Sequence, residues 1–166
     1  MDHHDYNEQP GTRDYVIFVL ILLGILAAAL LLAMQAGFTV PLFLRLFMGV
    51  FFVVFAAFKL ADIKGFVESY IGYDLIAAKW KGYAYAYPFI ELALGLGYLA
   101  GIKYLDLPTI ILMAIGSAGV ARQLLRKSNI RCACLGSFVK LPLTTVSLVE
   151  DVGMGIMALI LLSLNF

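Results

Sequence analysis

The sequence predicts an all-α polytopic membrane protein, and three observations carry that prediction. The 166 residues are 63% hydrophobic and 14% charged, whereas a soluble domain averages about 45–50% apolar and about 25% charged. Five apolar runs approach the roughly 20 residues needed to cross about 30 Å of hydrocarbon. Most charges fall between those runs, and the basic ones gather on one side of the implied topology. With mean hydropathy +0.95, the chain has room for one membrane domain, residues 15–166, and no second soluble one. A net charge of +1 argues against nucleic acid as a partner; the lipid bilayer is the partner that composition implies.

Residues 1–14 are polar and read as a flexible tail containing His3, His4 and the turn-former Pro10-Gly11. A histidine pair at a terminus is more often solvated than bound to metal. Residues 15–34 form the first span, a generic Leu/Ala anchor broken at Gln35-Ala36-Gly37. This run is too long and too poorly flanked by basic residues for a cleaved signal peptide. The second span, residues 41–58, is bracketed by Arg45 and Lys59, whose long side chains can snorkel to the interfaces. Phe51, Phe52, Phe55 and Phe58 spread around it, as packing aromatics do.

Residues 60–82 are too charged to span. Ile63, Phe66, Val67, Tyr70 and Ile71 recur at helical spacing and predict a short amphipathic helix at the interface. Trp80, Tyr83, Tyr85 and Tyr87 then mark a membrane boundary. The third span, residues 83–102, contains Glu91. A charged carboxyl there costs roughly 2.5–3.5 kcal/mol on insertion scales, so it calls for a proton, a partner or a function. Gly97 and Gly101 form a G-x-x-x-G, with Gly95 nearby, and predict close helix packing. The fourth span, residues 107–125, has a small-residue surface at Ala114, Gly116, Ser117, Ala118 and Gly119. The fifth, residues 143–166, carries Glu150 and Asp151 in its first half, where the helix dipole would account for Glu150.

Five spans put the two ends on opposite sides. The side of the N-terminus holds Arg13, Lys59, Lys64, Lys79, Lys81, Arg122, Arg126, Lys127, Arg131 and Lys140, and the other side holds Arg45 and Lys103. That bias predicts a cytoplasmic N-terminus and an outer C-terminus in a bacterial inner membrane.

The chemistry-bearing stretch is Arg131-Cys132-Ala133-Cys134 between the last two spans. These are the chain's two cysteines, too few for a disulfide framework. One intervening residue allows only a small, strained ring, so a structural staple is not expected. Nearby Arg126, Lys127 and Arg131 favour the thiolates. On the cytoplasmic side the thiols should rest reduced, which favours a soft ion: Cu(I) first, with Zn(II) or Hg(II) as alternatives. His3, His4 or a partner protein could add ligands, and Asp151 could support the site. Thiol–disulfide exchange with a thioredoxin-like partner is the competing reading, and a non-catalytic membrane subunit the third. Glu91 lies roughly 12 Å inside the bilayer at 1.5 Å per residue, on the same side as Lys59. The two can form a pair that is either structural or an ion or proton site. No serine–histidine–aspartate set, phosphate loop or haem-ligand set is present, and no organic cofactor is expected.

The residues also resemble a known family. Leu44-Arg45-Leu46-Phe47-Met48-Gly49-Val50-Phe51-Phe52, with Phe58-Lys59-Leu60 and Gly65-Phe66, is similar to the opening of DoxX-like membrane proteins. Pro88-Phe89-Ile90-Glu91-Leu92-Ala93-Leu94-Gly95 resembles their glutamate-bearing helix. Cys132-Ala133-Cys134-Leu135-Gly136, then Leu141-Pro142-Leu143-Thr144 and Glu150-Asp151, is similar to the MauE branch, with its C-x-C-[FL]-G before the last helix. The resemblance implies a four-helix bundle with one helix added in front, and a link to methylamine dehydrogenase maturation and thiol redox. Tyr73-Asp74-Leu75-Ile76-Ala77 together with C-A-C-L-G looks closer to MauE-like proteins linked to heavy-metal-associated domains. This chain lacks such a domain, so a soluble metal chaperone or a heavy-metal-associated domain protein would be its partner. Self-association into a homo-oligomer is a further expectation.

Overall fold

A computed structural model describes residues 12–125 and 145–164. Every regular element among them is helical. Helix α1 spans Thr12–Gln35, α2 Val40–Ala61, α3 Ile63–Tyr70, α4 Lys81–Leu99, α5 Asp106–Leu125 and α6 Thr145–Leu164. Among the described residues, three helical stretches are long and apolar enough to cross a membrane: α1, α2, and residues 103–125, where a short 3-10 turn leads into α5. The chain is therefore an all-helical, multi-pass membrane protein.

Local chemistry sets the ends of these helices. Thr39 caps α2, its hydroxyl accepting from the Leu42 amide at 3.4 Å, and Pro41 sits in the first turn, where no N–H is needed. Asp62 closes α2 and caps α3, accepting from the Gly65 amide at 3.1 Å. Helix α4 ends in a Schellman turn: the Ile102 amide donates to the Gly97 carbonyl and the Gly101 amide to the Tyr98 carbonyl. Gly101 has φ +75°, the left-handed conformation such a turn places just past a helix. The G-x-x-x-G expected to pack against another helix is thus a helix end at Gly101.

Gly95 makes the close approach instead. A methyl group built on it would lie 2.9 Å from the Val53 amide nitrogen and 3.0 Å from the Gly49 carbonyl oxygen. Backbones of α2 and α4 meet there, which small residues allow. Contacts are most extensive between α2 and α4, α5 and α6, and α1 and α2, with α6 also packed on α2. Helix α1 is peripheral: Val16, Leu20, Leu23 and Leu31 are exposed, as on a lipid-facing surface, while Phe18, Ile25, Ala29 and Ala33 are buried.

The segment after α2 turns inward. Phe66, Val67 and Tyr70 of α3 are buried, as are Tyr73, Asp74 and Ala77 in the turns that follow. The amphipathic spacing located this short helix, but protein rather than lipid takes up its apolar face. Asp74 organises the turns. Its Oδ1 accepts from the Ile76 and Ala77 amides at 2.9 and 2.7 Å, and its Oδ2 from the Tyr70 hydroxyl at 3.0 Å. Helix α5 closes over the same segment. A methyl group on Gly119 would lie 2.7 Å from the Tyr73 carbonyl oxygen, and the Gln123 amide donates to the Gly72 carbonyl at 2.7 Å.

Candidate functional site

The inward-turning segment, α2, α4, α5 and α6 enclose a cavity whose room for water centres is about 30 Å3, enough for one or two water molecules. One wall is aromatic: Phe51, Phe52 and Phe55 of α2 with Phe66 of α3. Phe51 and Phe55 stack at 4.1 Å between centroids, so the phenylalanine run of the second span is core, as packing aromatics predict. The polar lining comes from Lys59, Glu91, Ser147, Glu150 and Asp151.

Lys59, in the last turn of α2, does not snorkel outward. Only 6% of it is exposed, and its Nζ reaches both carboxylate oxygens of Glu91 at 2.6 and 2.5 Å; Glu91 is 4% exposed. Antiparallel packing explains the meeting. From the Gly49–Gly95 crossing, Lys59 lies ten residues along α2 and Glu91 four along α4, so about 9 Å of axial separation remains for two long side chains to bridge. Lys59 Nζ also lies 5.0 Å from the Tyr87 ring centroid and 5.6 Å from that of Phe66, within cation–π range. The pair is desolvated, bidentate and set in aromatic rings, as a buried charge pair must be to persist.

Tyrosines roof the cavity. Tyr70 stacks on Phe66 at 4.9 Å and leans on Tyr87 at 4.6 Å. Burial pushes the Tyr70 hydroxyl's pKa far above its ordinary value, and nearby Tyr87 and Asp74 push it the same way. It therefore stays protonated as a hydrogen-bond donor to Asp74.

Glu150 and Asp151 are the residues whose setting sequence reasoning missed. Helix α6 begins at Thr145 and has no acidic residue in its first turn, so the helix dipole, which fades beyond that turn, does not account for Glu150. Both residues face the cavity. Asp151 packs where Gly116 of α5 has no side chain: a methyl group there would lie 2.8 Å from Asp151 Oδ2. Glu150 Oε1 is fully buried and has no hydrogen-bond partner among the described residues. The small-residue surface of the fourth span was the available signal, because a glycine facing a helix that carries two adjacent carboxylates leaves room for one of them.

Cys132, Cys134, His3 and His4 lie outside the described residues, as do Arg126, Lys127, Arg131, Lys140 and Pro142. The structure therefore brings together Lys59, Glu91 and Asp151 from the residues singled out in the sequence. Among the described residues, no three histidine, cysteine, aspartate or glutamate side chains are grouped to hold a metal ion.

A helical, multi-pass bundle with an ionic centre buried between its helices is the class that fold and site define. Within that class, residues 37–164 match the family described as "Methylamine utilisation protein MauE", and the chain belongs to that family. Helix α1 precedes the matched region. No curated protein and no solved structure matches the chain.

Proposed function

We propose that this protein is a membrane-embedded thiol–disulfide redox protein in which Cys132 and Cys134 are the reacting pair. One observation carries the reading: the chain belongs to the MauE family over residues 37–164, and its two cysteines form a C-x-C within that region. The described fold supports it. Cys132 follows the end of α5 by seven residues, and Cys134 precedes the start of α6 by eleven. Val120 of α5 and Ser147 of α6, on the helices that flank the cysteines in sequence, both line the polar cavity. The exchange is balanced. A partner disulfide is reduced to two thiols, taking two electrons and two protons, while Cys132 and Cys134 become a disulfide; the reverse step regenerates them. A ring closed over one intervening residue is strained, and strained disulfides are the oxidising, labile ones. A thioredoxin-like protein is the partner class this chemistry fits.

In this account the membrane carries five spans, α4 and α6 completing the three above. The N-terminus and the cysteine segment face the cytoplasm and the C-terminus faces out, in a bacterial inner membrane. Basic residues support that orientation, and setting buried Lys59 aside leaves their bias intact.

The same orientation favours a second reading. In a reducing compartment the pair rests as thiols, which suit Cu(I), or Zn(II) and Hg(II), delivered by a soluble chaperone or a heavy-metal-associated domain protein. One set of experiments separates the two. Oxidised glutathione should add stably to Cys132 in the Cys134→Ser variant, whereas the wild type resolves the adduct to an internal disulfide. Titration of the reduced protein with Cu(I) against a competing chelator tests the other. Unresolved adducts in the wild type, together with tight Cu(I) binding lost in Cys132→Ser, would replace the redox reading with the metal one.

A further inference from the structure

Charge in the cavity does not balance. Among the described residues, Lys59 from α2 is the cation lining it, and it faces Glu91 from α4 and Glu150 and Asp151 from α6. Lys59 gives its hydrogen bonds to both oxygens of Glu91, so one cation among the described lining residues stands against three carboxyl groups. Tyr70, Tyr73 and Tyr87 complete the titratable lining, and the lining residues of α5, Met113, Gly116 and Val120, bring no charge. Glu150 and Asp151 are left as adjacent carboxyl groups in a largely apolar enclosure. They are neighbours in the chain and line one cavity, where two like charges are mutually unfavourable. An independent observation points to a ligand: Glu150 lines this cavity, and its Oε1 is buried with no hydrogen-bond partner among the described residues. A buried acceptor left open beside room for one or two waters is where a missing donor or cation belongs.

We propose that Glu150 and Asp151 form a binding site for one small monovalent cation, separate from the Lys59–Glu91 pair. The cation is a proton, shared between the carboxyls or carried on water, or a sodium ion. Gly116 is part of the site, because its missing side chain lets the Asp151 carboxylate lie against α5. The site does not depend on the chemistry assigned to the cysteines, and its test does not read them.

Infrared difference spectroscopy of the full-length protein in lipid nanodiscs at neutral pH tests this. Samples are compared in choline chloride and in sodium chloride at equal ionic strength. If the cation is a proton, the wild type shows a protonated-carboxyl C=O band that shifts in D2O and is lost in both Glu150→Gln and Asp151→Asn. If sodium occupies the site, sodium chloride changes the wild-type carboxylate bands, and both variants lose that response. Either result supports the site. A wild type with neither signal overturns it. A wild-type signal that persists unchanged in both variants also overturns it. Because a wild type without either signal overturns the site before any variant is made, a variant that fails to fold does not shield the proposal.

Discussion

Glu91 is tolerated in the interior because Lys59 meets both its oxygens. Either charge left alone there would face a large desolvation cost, so single substitutions should be severe and the double one mild. Lys59→Met or Glu91→Leu should each destabilise by about 3–5 kcal/mol, and the combination should recover most of that loss. A double-mutant cycle on unfolding in mixed micelles measures it; additive losses would mean that the pair contributes no coupling. Tyr70 gives a smaller, local test. Tyr70→Phe removes the donor to Asp74 but leaves its two amide partners, and should cost about 1–2 kcal/mol in the same assay. At this scale the sequence was informative where charge was isolated. Lys59 and Glu91 stand out against apolar neighbours on one side of the implied membrane. Glu150 and Asp151 were harder to read, since adjacent carboxylates in the first half of a span invite a dipole explanation, which fails because neither lies in the first turn of α6.

Elements meet through glycine in two different ways, and substitutions should tell them apart. Gly95→Leu would drive a side chain into the Val53 and Gly49 backbones, separating α2 from α4 and with them the charge pair. We expect loss of the folded protein, read as aggregation on size exclusion. At Gly101 there is open space around an added methyl group, but φ is +75°. Gly101→Ala should therefore cost only about 1 kcal/mol and leave the elution profile unchanged. The motif Gly97-x-x-x-Gly101 could not make this distinction, because helix packing and a helix end both select small residues. Helix α3 was legible as a helix from its spacing, yet its environment was not. An amphipathic pattern says which face is apolar, not whether lipid or a neighbouring helix covers it.

Over the whole molecule, the helical, membrane-embedded character was the most legible feature, with three helical stretches among the described residues long and apolar enough to span, because long uninterrupted apolar runs follow directly from the cost of exposing backbone and charge to hydrocarbon. Which helices share a core was not legible. The cavity draws on α2, α3, α4, α5 and α6, and contacts that distant in sequence leave no periodic trace. Orientation rests on the basic residues and can be measured. A membrane-impermeant maleimide should label Cys132 and Cys134 in inverted vesicles and not in spheroplasts; the opposite pattern would reverse the topology. The central claim is that these two thiols react as a pair. Its most direct measurement is the mass of the intact protein after equilibration across a series of reduced-to-oxidised glutathione ratios. The account predicts a reversible transition to a species lighter by two hydrogens, absent from Cys132→Ser and from Cys134→Ser. A wild-type mass that never shows that loss at any ratio would contradict it.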